Sequence, residues 1–125
     1  MIKMENVTMK YPTGTVALQD INVKIEKGEF VFVIGASGSG KSTLIKMLYR
    51  EEKPDKGSII IGGINVAKLK NRKVYILRRK IGVVFQDFKL LPRLTVFENV
   101  AFAMEVFGTD KKEIQKRVLE VLELV

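Results

Sequence analysis

Apolar and polar residues alternate along the first stretch of the chain. Ile2-Lys3-Met4-Glu5-Asn6-Val7 and Ile21-Asn22-Val23-Lys24-Ile25 both follow a period of two, the pattern of half-buried antiparallel strands in a small β-layer. Tyr11-Pro12-Thr13-Gly14 predicts a turn between them, and Glu26-Lys27-Gly28-Glu29 predicts another. The pattern then changes. Phe30-Val31-Phe32-Val33-Ile34 is apolar without interruption, which predicts a strand buried on both faces. From Ser42 to Leu48 the apolar residues fall at helical spacing, with no breaker before Pro54. Pro54-Asp55-Lys56-Gly57 predicts a turn, Ser58 to Ile61 a short strand closed by Gly62-Gly63, Asn71 to Arg79 a short basic helix, and Ile81 to Phe85 a second buried strand.

The last third is helical. Thr95 and Glu98 have capping-box spacing, and Val96, Phe97, Val100, Met104 and Phe107 follow on one face until Gly108. A second helix is predicted from Asp110, with Ile114, Val118, Val121, Leu122 and Val125 on its apolar face.

Chemistry enters between the buried strand and the first helix. Gly35-Ala36-Ser37-Gly38-Ser39-Gly40-Lys41-Ser42 matches the phosphate-binding pattern GxxxxGK[ST] at every fixed position. Gly35, Gly38 and Gly40 let the backbone turn tightly with its N–H groups inward, making an anion nest at a helix N-terminus. In such a loop Lys41 reaches the β- and γ-phosphates, the Ser42 hydroxyl is a ligand of Mg²⁺, and Thr43 supports the α-phosphate side. A strand before the loop and a helix after it are the context this chemistry requires. The expected ligand is a nucleoside triphosphate.

Composition narrows the remaining possibilities. The 125 residues are 46% hydrophobic, enough for a core, and no stretch approaches the ~20 apolar residues of a membrane span. The N-terminus has no signal-peptide apolar region, so the expected location is the cytoplasm. There is no cysteine and no histidine, which removes disulfides, thiolate and imidazole metal ligands, and histidine bases. The net charge of +8 is local: residues 68 to 80 hold Lys68, Lys70, Arg72, Lys73, Arg78, Arg79 and Lys80 with no acid. This patch suits anionic lipid, nucleic acid, an acidic partner or plain solvent. With Tyr75 its one aromatic residue, nucleic-acid binding is not expected.

The loop, Tyr11, the Pro54-to-Gly57 turn and Gln86 together resemble the N-terminal half of an ABC-type ATP-binding subunit, across all 125 residues. Leu69 to Val74, Leu77 to Gly82 and Val84 to Leu91 most closely resemble the FtsE type of cell-division ATP-binding subunit. Similar Phe-Gln and Leu-Leu-Pro patterns occur in lipoprotein-release and macrolide-export subunits. The resemblance implies an α/β P-loop NTPase core with an N-terminal antiparallel β-layer over residues 1–94, and the start of a helical subdomain over 95–125. It implies ATP and Mg²⁺ as cofactors and Lys41 and Gln86 as the catalytic positions. Ligands would be held by Tyr11 on adenine, Gly35, Ala36, Ser37, Gly38, Ser39, Gly40, Lys41, Ser42 and Thr43 on phosphate, and Ser42 and Gln86 on the metal. It further implies a homodimer in the longer protein, peripheral attachment to the cytoplasmic side of the membrane, and an FtsX-like membrane-embedded partner docking near Asp87, Phe88 and Leu91.

The family's chemistry also requires a Leu-Ser-Gly-Gly-Gln signature, a Walker B strand ending in Asp-Glu and a switch histidine. These normally follow the position of Val125, and none is present. Val83 to Asp87 does not serve as Walker B, because Gln86 interrupts the apolar run and no Glu follows Asp87. Glu98, Glu105, Glu120 and Glu123 fall on predicted helices and are not credible bases. The expectation is therefore a piece that binds ATP without hydrolysing it alone. Two other readings stand beside it: a nucleotide-dependent membrane-docking scaffold that uses the basic 68 to 80 segment, and a nucleoside monophosphate kinase. The kinase leaves Tyr11, Gln86 and the early strands unexplained.

Overall fold

The computed structural model describes residues 1–125 as two compact units, Met1–Val83 and Val84–Val125. The first is built on an antiparallel sheet of order β2-β1-β3-β4, comprising β1 (Ile2–Lys10), β2 (Val16–Ile25), β3 (Lys56–Ile61) and β4 (Ile64–Asn65). Strand β1 is central: Met4 stands opposite Val23 of β2 and Ile59 of β3. The strict alternation expected over residues 2–7 breaks at Asn6, whose φ is +49° and where the register to β2 shifts, and this break brings Val7 and Met9 into the core with Met4, Leu18 and Ile59. The predicted first turn closes with Gly14 N–H donating to Tyr11 O at 2.8 Å.

Helix α1 (Lys41–Leu48) packs Met47 into the same core, which Val66 and Leu77 complete. Burying each such side chain is worth roughly 1.5–3 kcal/mol, so α1 and the phosphate loop at its start are held against the sheet by the hydrophobic effect. The basic segment forms a 3₁₀ turn (Asn71–Lys73) running into α2 (Val74–Arg78), with Val74 and Leu77 facing inward.

In the second unit, α3 (Val96–Val106) and α4 (Lys111–Glu123) pack around Ala101, Ile114 and Val118. The Thr95 capping box is present in full, and the Asp110 side chain caps α4 by accepting from Lys112 N–H.

Two expected strands do not form. Phe30–Ile34 and Ile81–Phe85 are irregular, and neither belongs to the sheet. Phe30, Phe32 and Ile34 are 85%, 77% and 89% exposed, and Val84 is fully exposed. A parallel strand exists only through hydrogen bonds to neighbours on its flanks, and these runs pair with no strand among the 125 residues. Strand β4 was not anticipated; it pairs with Ile60 and Ile61 of β3 across the Gly62-Gly63 turn.

Candidate phosphate-binding site

The loop before α1 turns as its glycines require. Gly40 is the N-cap of α1 with φ +90°, and a Cβ there would run into the Ala17 carbonyl oxygen and lie 2.9 Å from Leu18 Cδ2. Both the conformation and the close approach to β2 exclude a side chain. Ser39 N–H donates to Ala36 O at 3.2 Å, which folds the loop back on itself.

Lys41 occupies that fold. Its ammonium donates to Gly35 O at 2.9 Å and to Ala36 O at 2.7 Å. Two neutral carbonyls satisfy part of the charge and leave the ammonium able to turn to a stronger acceptor, since an anionic oxygen adds direct attraction between opposite charges. Ser42 follows, exposed at the first turn of the helix.

Tyr11 and Thr43 complete the near wall. Thr43 is buried, and its Oγ1 lies 2.9 Å from the Tyr11 hydroxyl. A cleft of about 260 Å³ is lined by Tyr11, Thr15, Val16, Ala17, Gly38, Gly40, Lys41, Ser42 and Thr43. Two regions far apart in sequence therefore meet at one concavity: the β1–β2 turn running into β2, and the glycine loop with the start of α1. Among the expected site residues, Tyr11, Gly38, Gly40, Lys41, Ser42 and Thr43 line it. Gly35 and Ala36 hold the Lys41 ammonium through their carbonyls, and Ser37 and Ser39 are exposed on the loop. Thr15, Val16 and Ala17 were missed, because only the folding of the turn brings them to the loop.

The donor chemistry fits a hard cation held in part by its ligand's phosphates. Nowhere do three His, Cys, Asp or Glu side chains converge in a way that could hold a metal. Among the hydroxyls of this wall, that of Ser42 is exposed at the start of α1 and suits Mg²⁺, an ion that keeps most of its shell for water and phosphate.

Gln86, Asp87, Phe88 and Leu91 lie in the second unit, on the irregular segment before α3, and all are exposed. Lys89 pairs with Asp87 at 2.6 Å, and its hydrogen bond holds the Asp87 carboxyl below the usual carboxylate range. Asn99 on α3 ties the segment down. Its Oδ1 accepts from Leu91 N–H at 2.8 Å, and its Nδ2 donates to the carbonyls of Leu91, Leu94 and Thr95 at 3.2, 3.1 and 2.9 Å. No sequence pattern singled out Asn99.

A glycine loop leading into a helix is shared by several nucleotide-binding families, so the whole chain must decide between them. Residues 18–125 match the family model described as ABC transporter. The chain belongs to the ABC transporter family. It is 62% identical over its full length to the cell division ATP-binding protein FtsE of Bacillus subtilis, of which it covers 55%, and 53% identical to FtsE of Streptococcus pneumoniae, of which it covers 54%. It is also 46% identical over its whole length to the methionine import ATP-binding protein MetN of Helicobacter hepaticus, covering 36% of that protein. A solved dimeric structure of the ATP-binding cassette MJ0796, in a post-hydrolysis state bound to ADP and Pi, is 40% identical. It superposes with a TM-score of 0.89 over 98% of this chain and 56% of that one. The fold is that of the ABC nucleotide-binding domain, and the chain spans about half the length of the FtsE relatives it matches.

Proposed function

We propose that these residues are the triphosphate-binding part of an FtsE-like ABC ATPase subunit. Residues 1–94 form part of its ATP-binding core, and 95–125 the start of its helical subdomain. One observation carries the reading: the Lys41 ammonium sits inside a glycine turn at the start of α1, in the same cleft as Tyr11.

The loop N–H groups and the helix N-terminus attract a polyphosphate. Lys41 exchanges its two carbonyl partners for the β- and γ-phosphate oxygens. Thr43 supports the α-phosphate side, and the Tyr11 ring offers its face to adenine. When bound, Mg²⁺ neutralises phosphate charge; the donors this chain offers it are the Ser42 hydroxyl and the Gln86 side-chain oxygen. Gln86 also orients the attacking water in the full-length protein, where two subunits form the hydrolytic site.

On this reading Asp87, Phe88 and Leu91 contact an FtsX-like membrane subunit at the cytoplasmic face. Two features support it: Phe88 is 87% exposed, and the segment is anchored by Asn99 rather than loose. The MetN likeness supports the coarser statement, an ABC ATP-binding subunit, equally well.

The experiment is steady-state ATP turnover of the full-length protein with its membrane subunit. Gln86→Ala is expected to lower turnover while leaving ATP affinity near wild type. Undiminished turnover would remove Gln86 from the chemistry, and absence of turnover in the wild-type complex would remove the ATPase reading.

A further inference from the structure

Several cations of this chain stand beside carboxylates. Lys3 pairs with Glu5, Lys24 with Glu26, Lys46 with Glu51 and Arg117 with Glu120. The segment from Lys68 to Lys80 differs from the rest of the chain in its density of cations without acids. Its seven cations are all exposed and it contains no acid.

Two of those cations have local partners. Arg78 donates from Nε to Tyr49 O at 3.0 Å and from Nη2 to Arg50 O at 3.4 Å, fastening α2 to the end of α1, and the Arg79 guanidinium lies 5.4 Å from the Tyr75 ring centre. Val74 and Leu77 anchor the same short helix in the core. The segment is thus a fixed platform, presenting Lys68, Lys70, Arg72, Lys73 and Lys80 to solvent.

Apolar groups stand among these charges: Tyr75 is 54% and Ile76 37% exposed. A tyrosine and an aliphatic side chain flanked on both sides along the chain by lysine and arginine suit the boundary between lipid headgroups and acyl chains, where aromatic rings and long cationic stems each find a matching layer. Nucleic acid would call for open aromatic faces on which bases stack, and here the single ring already carries Arg79.

We propose that the surface from Lys68 to Lys80 is a site for anionic lipid headgroups, holding the protein against a negatively charged membrane independently of any protein partner. Each cation near such a surface contributes about five-fold to the partition coefficient at low salt, so three together contribute on the order of 100-fold.

The test is flotation of the full-length protein with vesicles of phosphatidylglycerol and phosphatidylcholine, and with vesicles of phosphatidylcholine alone. The protein is expected to bind only the anionic vesicles and to be released by salt. The triple variant Lys70→Ala, Arg72→Ala, Lys73→Ala is expected to lose roughly 100-fold in binding, and Ile76→Ser to bind more weakly at every salt concentration. ATP titration and thermal melting of the same variants report folding, and they separate this proposal from the nucleotide reading. Equal binding to neutral vesicles, or a triple variant that folds and binds as wild type, would overturn it. So would capture of duplex DNA or an acidic polypeptide by this surface without vesicle binding.

Discussion

The Tyr11 hydroxyl and the Thr43 hydroxyl lie 2.9 Å apart, joining the turn after β1 to the first turn of α1. The bond holds the aromatic ring at the edge of the phosphate loop before any ligand arrives, and it satisfies a buried threonine that otherwise has no partner nearby.

Tyr11 therefore has two separable roles. Tyr11→Phe keeps the ring but leaves the buried Thr43 hydroxyl without that partner, which costs about 1–3 kcal/mol of stability and leaves ATP affinity within a few-fold of wild type. Tyr11→Ala also loses the stacking face, worth roughly 1–3 kcal/mol, or about 5- to 150-fold in Kd. Calorimetric titration of both variants decides the matter. Equal affinities for the two would mean that the ring does not touch the base.

Gly40 and Gly14 both have left-handed backbone, with φ +90° and +88°, but differ in surroundings. Alanine at either position costs roughly 1–2 kcal/mol for the conformation. At Gly40 the new methyl also meets the Ala17 carbonyl and the Leu18 side chain, while at Gly14 it meets nothing within 4 Å. Gly40→Ala is expected to lose about 1–3 kcal/mol more than Gly14→Ala and to weaken triphosphate binding. Equal melting temperatures would contradict the packing of the loop on β2.

Much of this arrangement was legible in sequence, where the cause is local. The period of two over residues 21–25 in β2 follows from which face is buried, whereas β1 breaks it at Asn6; Thr95 with Glu98 makes its capping box wherever a helix begins. The strands expected at Phe30–Ile34 and Ile81–Phe85 were not legible in the same way. An apolar run records that a segment is suited to burial, whereas a strand also needs neighbours to bond to, and the sheet of this chain supplies none for either run. Strand β4 is the converse case: Ile64 and Asn65 have too short a pattern to notice, yet the Gly62-Gly63 turn before them was a hairpin signal. The Tyr11 contact to Thr43 and the four hydrogen bonds of Asn99 depend on tertiary placement that no spacing rule encodes.

Asn99 gives the segment before α3 its shape. Asn99→Ala removes one acceptor and the donors to three carbonyls, with an expected stability loss of about 1–2 kcal/mol. The specific readout is hydrogen exchange at the Leu91 amide, which donates to Asn99 Oδ1. Its protection should fall in the variant while that of α4 stays unchanged. Retained protection at Leu91 would show that something else fixes the segment.

Acid should loosen the start of α3. The Glu98 carboxyl accepts from Thr95 N–H at 2.7 Å and from Thr95 Oγ1 at 2.8 Å, and these bonds, the backbone one first, hold its pKa below the ordinary range. A lowered folded-state pKa means that the stabilisation is fully present above the unfolded value of about 4.3. It is lost as pH falls through the lowered folded value. Amide exchange in the first turn of α3 should rise over that window in the wild type. Glu98→Gln should show no such step, and an identical step in both proteins would assign the titration to another group.

The central claim is that Lys41 holds a triphosphate, and equilibrium titration of the full-length protein and its Lys41→Ala variant with ATP and Mg²⁺ tests it most directly. A charge-assisted bond of about 1.5–3 kcal/mol predicts that affinity falls by about 10- to 150-fold. Wild-type affinity in the variant would contradict the account, because the loop would then bind nothing through the residue around which it is folded.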